Sequence, residues 1–516
     1  GRSAQKQPIV AFETLQGGRT PWAAVGWLGV LSGFIILSYY VVVAGWALDF
    51  TLKSVVGFTK PIQQEAAQAA SIYRATTPLE TMKAELTQAR AAKLAKNDVT
   101  TIRGEAGKKV WANHKRFSSA LAKAADKAAA RTILLEDPKL ATAVSIIERL
   151  NKRIAATKDR AGKSAKAEID KLSDQAVRDQ AEARKRRKVI GDKVGATFIG
   201  LAKDGWTSTF WAALFMLVTI LVVSGGISGG IERACKVLMP ILIGIMLLMV
   251  VYGMFLPGFG EAVSFVFKPD ASRLKASGVL EALGHAFFTL SLGMGAMITY
   301  GSYQKDKDSL VSQSVVIAGI DTLVALLACL MMFPIVFTYG QEASAGPGLV
   351  FISMPLAFAE LGTGGMLLSI LFFGLLVFAA LTSAISLLEV VASYFIDKKG
   401  WTRKKAAWLL GGTIFVFSIP SAFAMDEGGL FTSWEPGFGK NFFDTADYLA
   451  SNWMLPLGGL LISIYAGWVM PAKMRDAELQ GAAPALTKTW LLLVRFVAPV
   501  LVVLVLLQKV GFLELG

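Results

Sequence analysis

The stretch Gly284–Tyr303 reads GHAFFTLSLGMGAMITYGSY and decides the fold. It lies in an apolar span of about 20 residues, the length that a helix needs to cross a bilayer. Ser291, Gly293 and Gly295 fall in the middle of this span, beside the hydroxyl of Thr289. A helix can unwind there, and its freed amides and carbonyls can bind ions and a charged solute, which predicts a solute transporter. Small residues also suit close packing of two helices, and the span alone leaves both interpretations open.

The rest of the chain has the composition of a membrane protein. Of its 516 residues, 54% are hydrophobic, too large a share for an ordinary soluble protein of several domains. Apolar stretches long enough to cross a bilayer predict nine spans. The expected fold class is an all-α integral membrane protein. The predicted spans are Trp22–Phe50, Trp206–Val223, Val237–Leu256, Leu280–Tyr300, Val311–Tyr339, Met366–Phe395, Ala406–Phe423, Tyr448–Met470 and Trp490–Leu507.

The loops between the spans predict the orientation of the chain. Lys and Arg in the short loops fall mainly on one alternating side, for example around Lys398 and Arg403. Cytoplasmic loops concentrate these residues. The amino terminus is therefore predicted to be cytoplasmic, and nine spans place the carboxyl terminus outside.

Cysteine and histidine are too scarce for a disulfide framework or a Cys-rich or His-rich metal site. Cys235 and Cys329 lie beside or inside predicted spans and are expected to be packing residues. His285 and His114 are far apart in the sequence. We expect His285 to make hydrogen bonds rather than to bind a metal.

Residues 61–200 differ from the rest of the chain in composition. They hold 29 Lys and Arg against 16 Asp and Glu, which accounts for most of the net charge of +15. Their richness in Ala, Lys, Glu and Gln predicts long solvent-exposed helices, with a break at Asp137-Pro138. After this break, apolar residues recur every three or four positions, which favours a helical hairpin, a coiled coil or a partner helix. These apolar residues are Leu140, Val144, Ile147, Leu150 and Ile154.

The orientation places this insertion outside the cytoplasm, since long segments escape the charge bias of short loops. Its basic runs, such as residues 184–188, favour either a contact with anionic lipid headgroups or acidic polymers, or a merely solvated face. Nucleic-acid binding is disfavoured because Trp111 and Phe117 are the only aromatic residues in its middle. The predicted domains are residues 1–60 with the first span, 61–203 as the basic helical insertion, and 204–516 with eight further spans.

Further polar residues lie inside predicted spans. Thr382 and Ser383 place successive hydroxyls where they can join carbonyls as oxygen ligands for a small hard cation, or bond back to their own helix. Asp321 is costly to bury, so a bound cation or a proton is its simplest partner in a span without Lys or Arg. Glu389 is similarly deep but nearer the cytoplasmic end of its span, and its role stays open.

With these residues in place, the sequence resembles the neurotransmitter:sodium symporters, in their bacterial amino-acid-transporting branch. The resemblance covers the chain outside the insertion and implies a leucine-transporter-type inverted-repeat helix bundle in the bacterial inner membrane. The strings that carry it are SYYVVVAGW from Ser38, GGISGGIERACKVLMP from Gly225, GHAFFTLSLGMGAMITYGSY from Gly284, DTLVALLA from Asp321, FAALTSAISLLE from Phe378 and FDTADYLASNWMLPLGG from Phe443.

The resemblance implies a binding site for a neutral, apolar amino acid. Tyr40 and Phe288 would close over the substrate, with Tyr40 donating a hydrogen bond to its carboxylate. Ser291 and neighbouring carbonyls would receive its amino group. The implied substrate-binding residues are Ile36, Tyr40, Phe288, Thr289, Ser291, Met294, Ser383 and Leu387.

The resemblance also implies two sodium sites. One would use Thr289, Asp321 and the substrate carboxylate, so that ion and solute each supply charge to the other. The second would use the Ala379 carbonyl with Thr382 and Ser383. Chloride-dependent relatives have neutral residues around the first site, whereas Asp321 brings a fixed negative charge, so we expect no chloride requirement.

Three further residues match gating positions of the family. Asp447 would belong to the outer gate, although it could equally cap a helix that begins near Tyr448. Tyr303 and Asp397 would belong to the cytoplasmic gate.

The sequence departs from the family in two places. Relatives of this branch have eleven spans, and the broken first helix of the family has no counterpart in the string that begins at Gly1. We therefore expect an amino-terminally truncated bundle that lacks the first two spans, is inactive alone, and belongs to a longer native protein; a pseudo-transporter is the alternative. The basic insertion is the second departure.

Two functions of different classes fit the sequence. The first is sodium-coupled symport of a neutral, apolar amino acid. The second is a non-transporting receptor or scaffold whose insertion binds a partner while the spans anchor it. An enzyme is disfavoured because no nucleophile, base and oxyanion set converges in the sequence.

Overall fold

The computed structural model describes residues 1–111, 138–268, 276–304, 309–340, 346–361, 363–426, 429–434, 439–479, 484–509 and 512. These residues form two compact units. The first unit combines residues 1–61 with 191–516, and the second comprises residues 62–190.

The described secondary structure is helical. Short π-helical segments adjoin several of the α-helices. One of them, Ile227–Glu232, leads directly into α8. The α-helices in chain order are α1 (Pro8–Leu15), α2 (Ala23–Val55), α3 (Thr59–Thr76), α4 (Leu79–Trp111), α5 (Pro138–Ile169), α6 (Asp174–Lys203), α7 (Gly205–Ser224), α8 (Arg233–Met254), α9 (Phe259–Phe267), α10 (Ala276–Thr289), α11 (Ala296–Gly301), α12 (Leu310–Thr338), α13 (Met354–Glu360), α14 (Thr363–Lys399), α15 (Arg403–Ala422), α16 (Phe442–Tyr448), α17 (Leu455–Ile464), α18 (Ala472–Glu478), α19 (Pro484–Leu492) and α20 (Ala498–Lys509).

Within the described residues, eight helical stretches of the first unit are long and apolar enough to cross a membrane. Each coincides with a predicted span, with shifts at the ends. The remaining predicted span, Leu280–Tyr300, appears as the two short helices α10 and α11. The eight stretches are Ala23–Val55, Gly205–Ser224, Ile227–Met254, Leu310–Thr338, Gly364–Lys399, Arg403–Ala422, Phe442–Val469 and Pro484–Gln508.

Polar side chains fix where several spans begin. A helix leaves its first backbone N–H groups without partners, and a side-chain oxygen just before the helix satisfies one of them. Asp204 accepts a hydrogen bond from the Thr207 N–H at 3.0 Å ahead of α7. Thr402 accepts one from the Lys405 N–H at 3.3 Å ahead of α15.

Helix α16 begins earlier than the sequence predicted. Asn441 accepts a hydrogen bond from the Asp444 N–H at 2.8 Å, so the helix starts at Phe442 rather than near Tyr448. Asp447 lies inside this helix. The interpretation of Asp447 as a helix cap is therefore wrong, because the capping position is occupied by Asn441.

Helix α2 is at the centre of the first unit, where it packs against α7, α14 and α15. Its buried side chains include Trp46 and Phe50. Helices in a bilayer associate through close packing, which small residues permit. A Cβ atom on Gly45 would lie 2.8 Å from the backbone nitrogen of Ala212. A larger residue at Gly45 would therefore push α2 and α7 apart.

The second unit contains an antiparallel pair of long helices. Met82 and Leu86 of α4 share an apolar core with Ile169 of α5. Farther along α4, Ala95 packs with Ala161. Rising residue numbers on α4 thus meet falling numbers on α5, which defines antiparallel packing.

Several residues of the predicted insertion lie outside what the structure describes. Helix α5 begins at Pro138, but Asp137 on the other side of the predicted break is not described. Ile154, the last residue of the predicted apolar face, packs against the cluster of Ala95 and Ala161. The side chains that the sequence singled out and that lie outside the described part of the insertion are those of Trp111, His114, Phe117, Leu140, Val144, Ile147 and Leu150.

Candidate functional site

The candidate site is organised by the break between α10 and α11, where residues 290–295 are not helical. Ser291 has a φ of 55°, a left-handed conformation that is uncommon for a residue with a side chain. Gly293 and Gly295, with φ of 84° and 81°, adopt left-handed φ at little cost because they lack a Cβ atom. The structure thus contains the unwound segment that the sequence predicted.

Other spans pack directly against this break. A Cβ atom on Gly29 of α2 would lie 3.0 Å from the nitrogen of Gly295. A Cβ atom on Gly293 would lie 2.3 Å from the carbonyl oxygen of Leu455 in α17. The backbone of the break is therefore buried among helices, as unwound backbone at membrane depth requires.

The predicted apolar pocket residues lie in one packed cluster. Ile36, Met294 and Leu387 are buried members of the main hydrophobic core of the first unit, and Tyr40 packs against that core. The Tyr40 hydroxyl is within hydrogen-bonding reach of Ser383, which connects α2 with α14. Phe288 is less enclosed, with 36% of its surface exposed. Four of the predicted substrate contacts are thus drawn from α2, the break and α14.

A polar pair lies at the end of α10. The hydroxyl of Thr289 donates to Oδ1 of Asp321 in α12 at 2.8 Å. Thr289 is exposed and Asp321 is half-buried. Within the described part of the chain, no cation pairs with this carboxylate. Its oxygens therefore retain the charge and the lone pairs that a hard cation needs.

The second predicted sodium site lies within α14. The hydroxyl of Thr382 donates to the carbonyl of Ala379 at 2.9 Å, so Thr382 here bonds back to its own helix. The Ser386 hydroxyl donates to the Thr382 carbonyl at 3.1 Å and accepts a hydrogen bond from the Tyr300 hydroxyl at 2.8 Å. A chain of hydroxyls thus links α11 to the turn of α14 that carries the candidate ligands.

Glu389, whose role the sequence left open, contacts residues of two other segments, Tyr303 and Arg403. Its Oε1 accepts a hydrogen bond from the Tyr303 hydroxyl at 2.5 Å, and its Oε2 lies 2.6 Å from Nη1 of Arg403. Glu389 is fully buried, whereas 21% of the Arg403 side chain is exposed. Because a buried carboxylate needs a partner, this ion pair satisfies Glu389 and ties α14 to the start of α15.

The other two gating candidates have different partners. Asp397 accepts a hydrogen bond from the backbone N–H of Gln7, the residue that caps α1, at 3.3 Å. Asp447 accepts one from the Ser451 hydroxyl at 3.0 Å and lies close to the hydroxyl of Tyr39. The described contacts of Tyr303 and Asp397 therefore involve different neighbours rather than each other.

Sequence reasoning missed three residues near the site. Tyr300 stands inside the quoted motif, and Ser386 follows Thr382 by one helical turn, a spacing that places both on one face. This spacing was the signal that could have found Ser386. Arg403 was used only to predict orientation, and no local pattern connects it with Glu389.

Comparisons with known proteins agree with this geometry. The sequence profile described as "SNF: Sodium:neurotransmitter symporter family" matches residues 171–513. The chain is 36% identical over 330 residues to the uncharacterized sodium-dependent transporter YhdH of Bacillus subtilis, covering 62% of this chain and 70% of that protein. It is 35% identical over 301 residues to an uncharacterized sodium-dependent transporter of Haemophilus influenzae, covering 58% of this chain and 65% of that protein.

A solved structure gives the same result for the fold. The crystal structure of MhsT in complex with L-phenylalanine aligns with a TM-score of 0.67 and 32% identity, covering 99% of this chain and 86% of MhsT. The comparisons confirm the predicted family, its bacterial branch and the leucine-transporter-type fold. They also confirm that the chain is not an enzyme, because members of the family are sodium-coupled transporters.

The family match spans well over half of the chain, and the apolar helices supply a multi-pass membrane architecture. The chain therefore belongs to the sodium:neurotransmitter symporter family.

Proposed function

We propose that the protein couples the entry of sodium to the uptake of a neutral, apolar amino acid. The observation that carries this proposal is the Thr289–Asp321 pair at the end of α10, beside unwound backbone. A carboxylate without a cationic partner among the described residues, next to freed carbonyls, suits a hard monovalent ion. A substrate carboxylate placed at the same break would add a further negative ligand. Ion and amino acid would then stabilise each other.

The substrate class follows from the packing around the break. Ile36, Met294 and Leu387 are apolar and buried in the core, and a pocket lined by such residues would favour an uncharged side chain. The related MhsT was crystallised in complex with L-phenylalanine. We infer that this chain takes a medium to large apolar amino acid of the same kind.

Two properties of the ion site accompany this proposal. The second site would use Ala379, Thr382 and Ser383, after the Thr382 hydroxyl turns from its helix toward the ion. Asp321 supplies a fixed negative charge at the first site, so transport would need no chloride.

The placement of the protein is part of the same proposal. The amino terminus would face the cytoplasm of a bacterium, with the spans in its inner membrane. Residues 61–203 would form an extracytoplasmic helical insertion between residues 1–60 and 204–516. The competing scaffold function draws no support from the relatives, since the Bacillus and Haemophilus proteins are named as transporters and MhsT was solved with an amino acid.

Binding measurements test the substrate and ion assignments. Radiolabelled L-phenylalanine should bind to the purified complete native protein in sodium chloride and in sodium gluconate, but not in potassium chloride. Unlabelled leucine, isoleucine and methionine should compete, and lysine and glutamate should not. Binding that is equal in sodium and potassium would reject the sodium site, and binding lost in gluconate would reject chloride independence.

A further inference from the structure

Several acidic side chains of the second unit are used in ion pairs within that unit. Arg74 of α3 pairs with Asp179 and Glu182 of α6 at 2.8 and 2.5 Å. Arg90 of α4 pairs with Glu168 of α5 at 2.8 Å. These contacts join neighbouring helices and use Asp179, Glu182 and Glu168 as partners of Arg74 and Arg90.

The outer face of α5, together with the turn that follows it, carries cations that these pairs do not use. Lys152, Arg160, Lys166 and Lys171 are exposed, and none forms an ion pair with another described residue. Lys163 shares this face and pairs with Asp159 at 2.9 Å. We call these five basic residues, Lys152, Arg160, Lys163, Lys166 and Lys171, the cationic stripe.

The stripe follows from an 11-residue spacing in the sequence. Lys152 and Lys163 are 11 positions apart, as are Arg160 and Lys171. Eleven residues make about three turns of helix and rise about 16 Å, so Lys152 and Lys163 lie on one face of α5. Lys171 follows in the turn after the end of α5 at Ile169. Ile154, which packs toward α4, and the buried Ala165 are also 11 positions apart. The basic face and the packed face are therefore both maintained along α5, roughly on opposite sides.

The residues between the cations indicate the kind of partner. Ala156, Asp159, Ala167 and Asp170 complete this face, and none of them is aromatic or a large apolar residue. The face therefore has nothing to insert into a hydrocarbon layer and nothing on which bases could stack. Its recognition chemistry is charge alone, spread along a helix, which fits an extended surface of phosphate groups.

We propose that the cationic stripe binds the headgroups of anionic phospholipids at a bilayer surface. The chain enters the second unit after span α2 and leaves it before span α7, so this unit is tethered at both ends to membrane spans. Lys and Arg near an anionic membrane surface each add to the attraction, and salt weakens it. This interaction is independent of the proposed symport.

Vesicle binding by the full chain tests the proposal. The protein would be held in nanodiscs of phosphatidylcholine, and its binding to added vesicles would be measured by co-flotation at low and at high salt. The stripe variant is Lys152→Gln with Arg160→Gln and Lys171→Gln. The matched control removes three other exposed cations of the second unit, with the substitutions Lys93→Gln, Lys158→Gln and Lys188→Gln. Circular dichroism would show that all forms keep the same helicity.

We expect binding to vesicles that contain phosphatidylglycerol, none to phosphatidylcholine alone, and a loss of about tenfold or more in the stripe variant only. Equal weakening in both triple variants would overturn the proposal, because it would show that net charge rather than the stripe matters. Binding to soluble polyphosphate without binding to the anionic vesicles would also overturn it, in favour of a soluble polyanion.

Discussion

The hydroxyl of Thr289 donates a hydrogen bond to Oδ1 of Asp321 at 2.8 Å. This contact joins the last residue of α10 to the middle of α12, at the point where the backbone unwinds. The Thr289 hydroxyl can rotate, so that it stops donating to Asp321 and directs a lone pair toward an ion. A Lys or Arg partner would instead neutralise the carboxylate. The pair is therefore suited to accept a cation without a large rearrangement.

Removal of the Asp321 carboxylate should weaken sodium binding. A contact to a charged group is worth about 1.5–3 kcal/mol, so Asp321→Ala should raise the sodium concentration for half-maximal amino acid binding about tenfold or more. Thr322→Ala is the matched control, because its hydroxyl bonds to the Ala318 carbonyl of its own helix at 2.9 Å. An unchanged sodium dependence in Asp321→Ala would remove this carboxylate from the ion site.

A side chain at Gly293 should disrupt the break. Its φ of 84° disfavours any other residue, and a Cβ atom would lie 2.3 Å from the Leu455 carbonyl oxygen. The left-handed conformation alone costs about 1–2 kcal/mol, so Gly293→Ala should lower the melting temperature and reduce amino acid binding. Gly244→Ala in α8 meets no atom within 4 Å and should be neutral or slightly stabilising. Equal stability of the two variants would contradict the close approach of α17.

Substitution of Arg403 should destabilise the protein more than substitution of Glu389. Arg403→Met leaves a fully buried carboxylate without its cation and should cost about 3 kcal/mol. Glu389→Gln should cost less, because the partly exposed guanidinium can reach water. The double variant should recover most of the loss, since no charge is then left uncompensated.

Thermal unfolding in detergent would rank these variants. Lys404→Met removes a neighbouring exposed cation and serves as the control. If Arg403→Met and Lys404→Met melted at the same temperature, the buried pair would have no role in stability.

Capping of α7 should make stability depend on pH. Hydrogen bonds from the side chain and then the backbone N–H of Thr207 hold the pKa of Asp204 below its usual value. A lowered folded-state pKa means that this contribution is present above the unfolded pKa and is lost as the pH falls through the folded pKa.

Substitutions at the cap separate the charge from the hydrogen bond. Asp204→Asn should retain the cap without this pH dependence, and Asp204→Ala should lose about 1 kcal/mol at neutral pH. Melting temperatures recorded from neutral to acidic pH would show the difference. Parallel acid profiles for the parent chain and Asp204→Asn would contradict the assignment.

Much of the fold could be predicted because its signals are local in the sequence. Long apolar runs reveal spans, and Gly293 and Gly295 mark a break because glycine tolerates left-handed φ. Asp321 stood out because an isolated carboxylate in an apolar span is costly. Each of these inferences needs only a residue and its immediate neighbours.

The remaining features depend on contacts between distant segments. Glu389 meets Arg403 only because the chain reverses at Gly400, whose φ is 65°. The Tyr300–Ser386 hydrogen bond requires the relative register of α11 and α14. The sequence does not predict the early start of α16 because Asp444, Thr445 and Asp447 interrupt its first turns, and a charged stretch does not resemble a membrane span.

Uptake of radiolabelled L-phenylalanine by proteoliposomes that contain the complete native protein tests the central claim most directly. Vesicles loaded with potassium and diluted into sodium should accumulate the amino acid above its outside concentration, and vesicles with equal sodium on both sides should not. Asp321→Ala should abolish this accumulation while Thr322→Ala retains it. Accumulation that proceeds equally without a sodium gradient, or that survives in Asp321→Ala, would contradict sodium-coupled transport through this site.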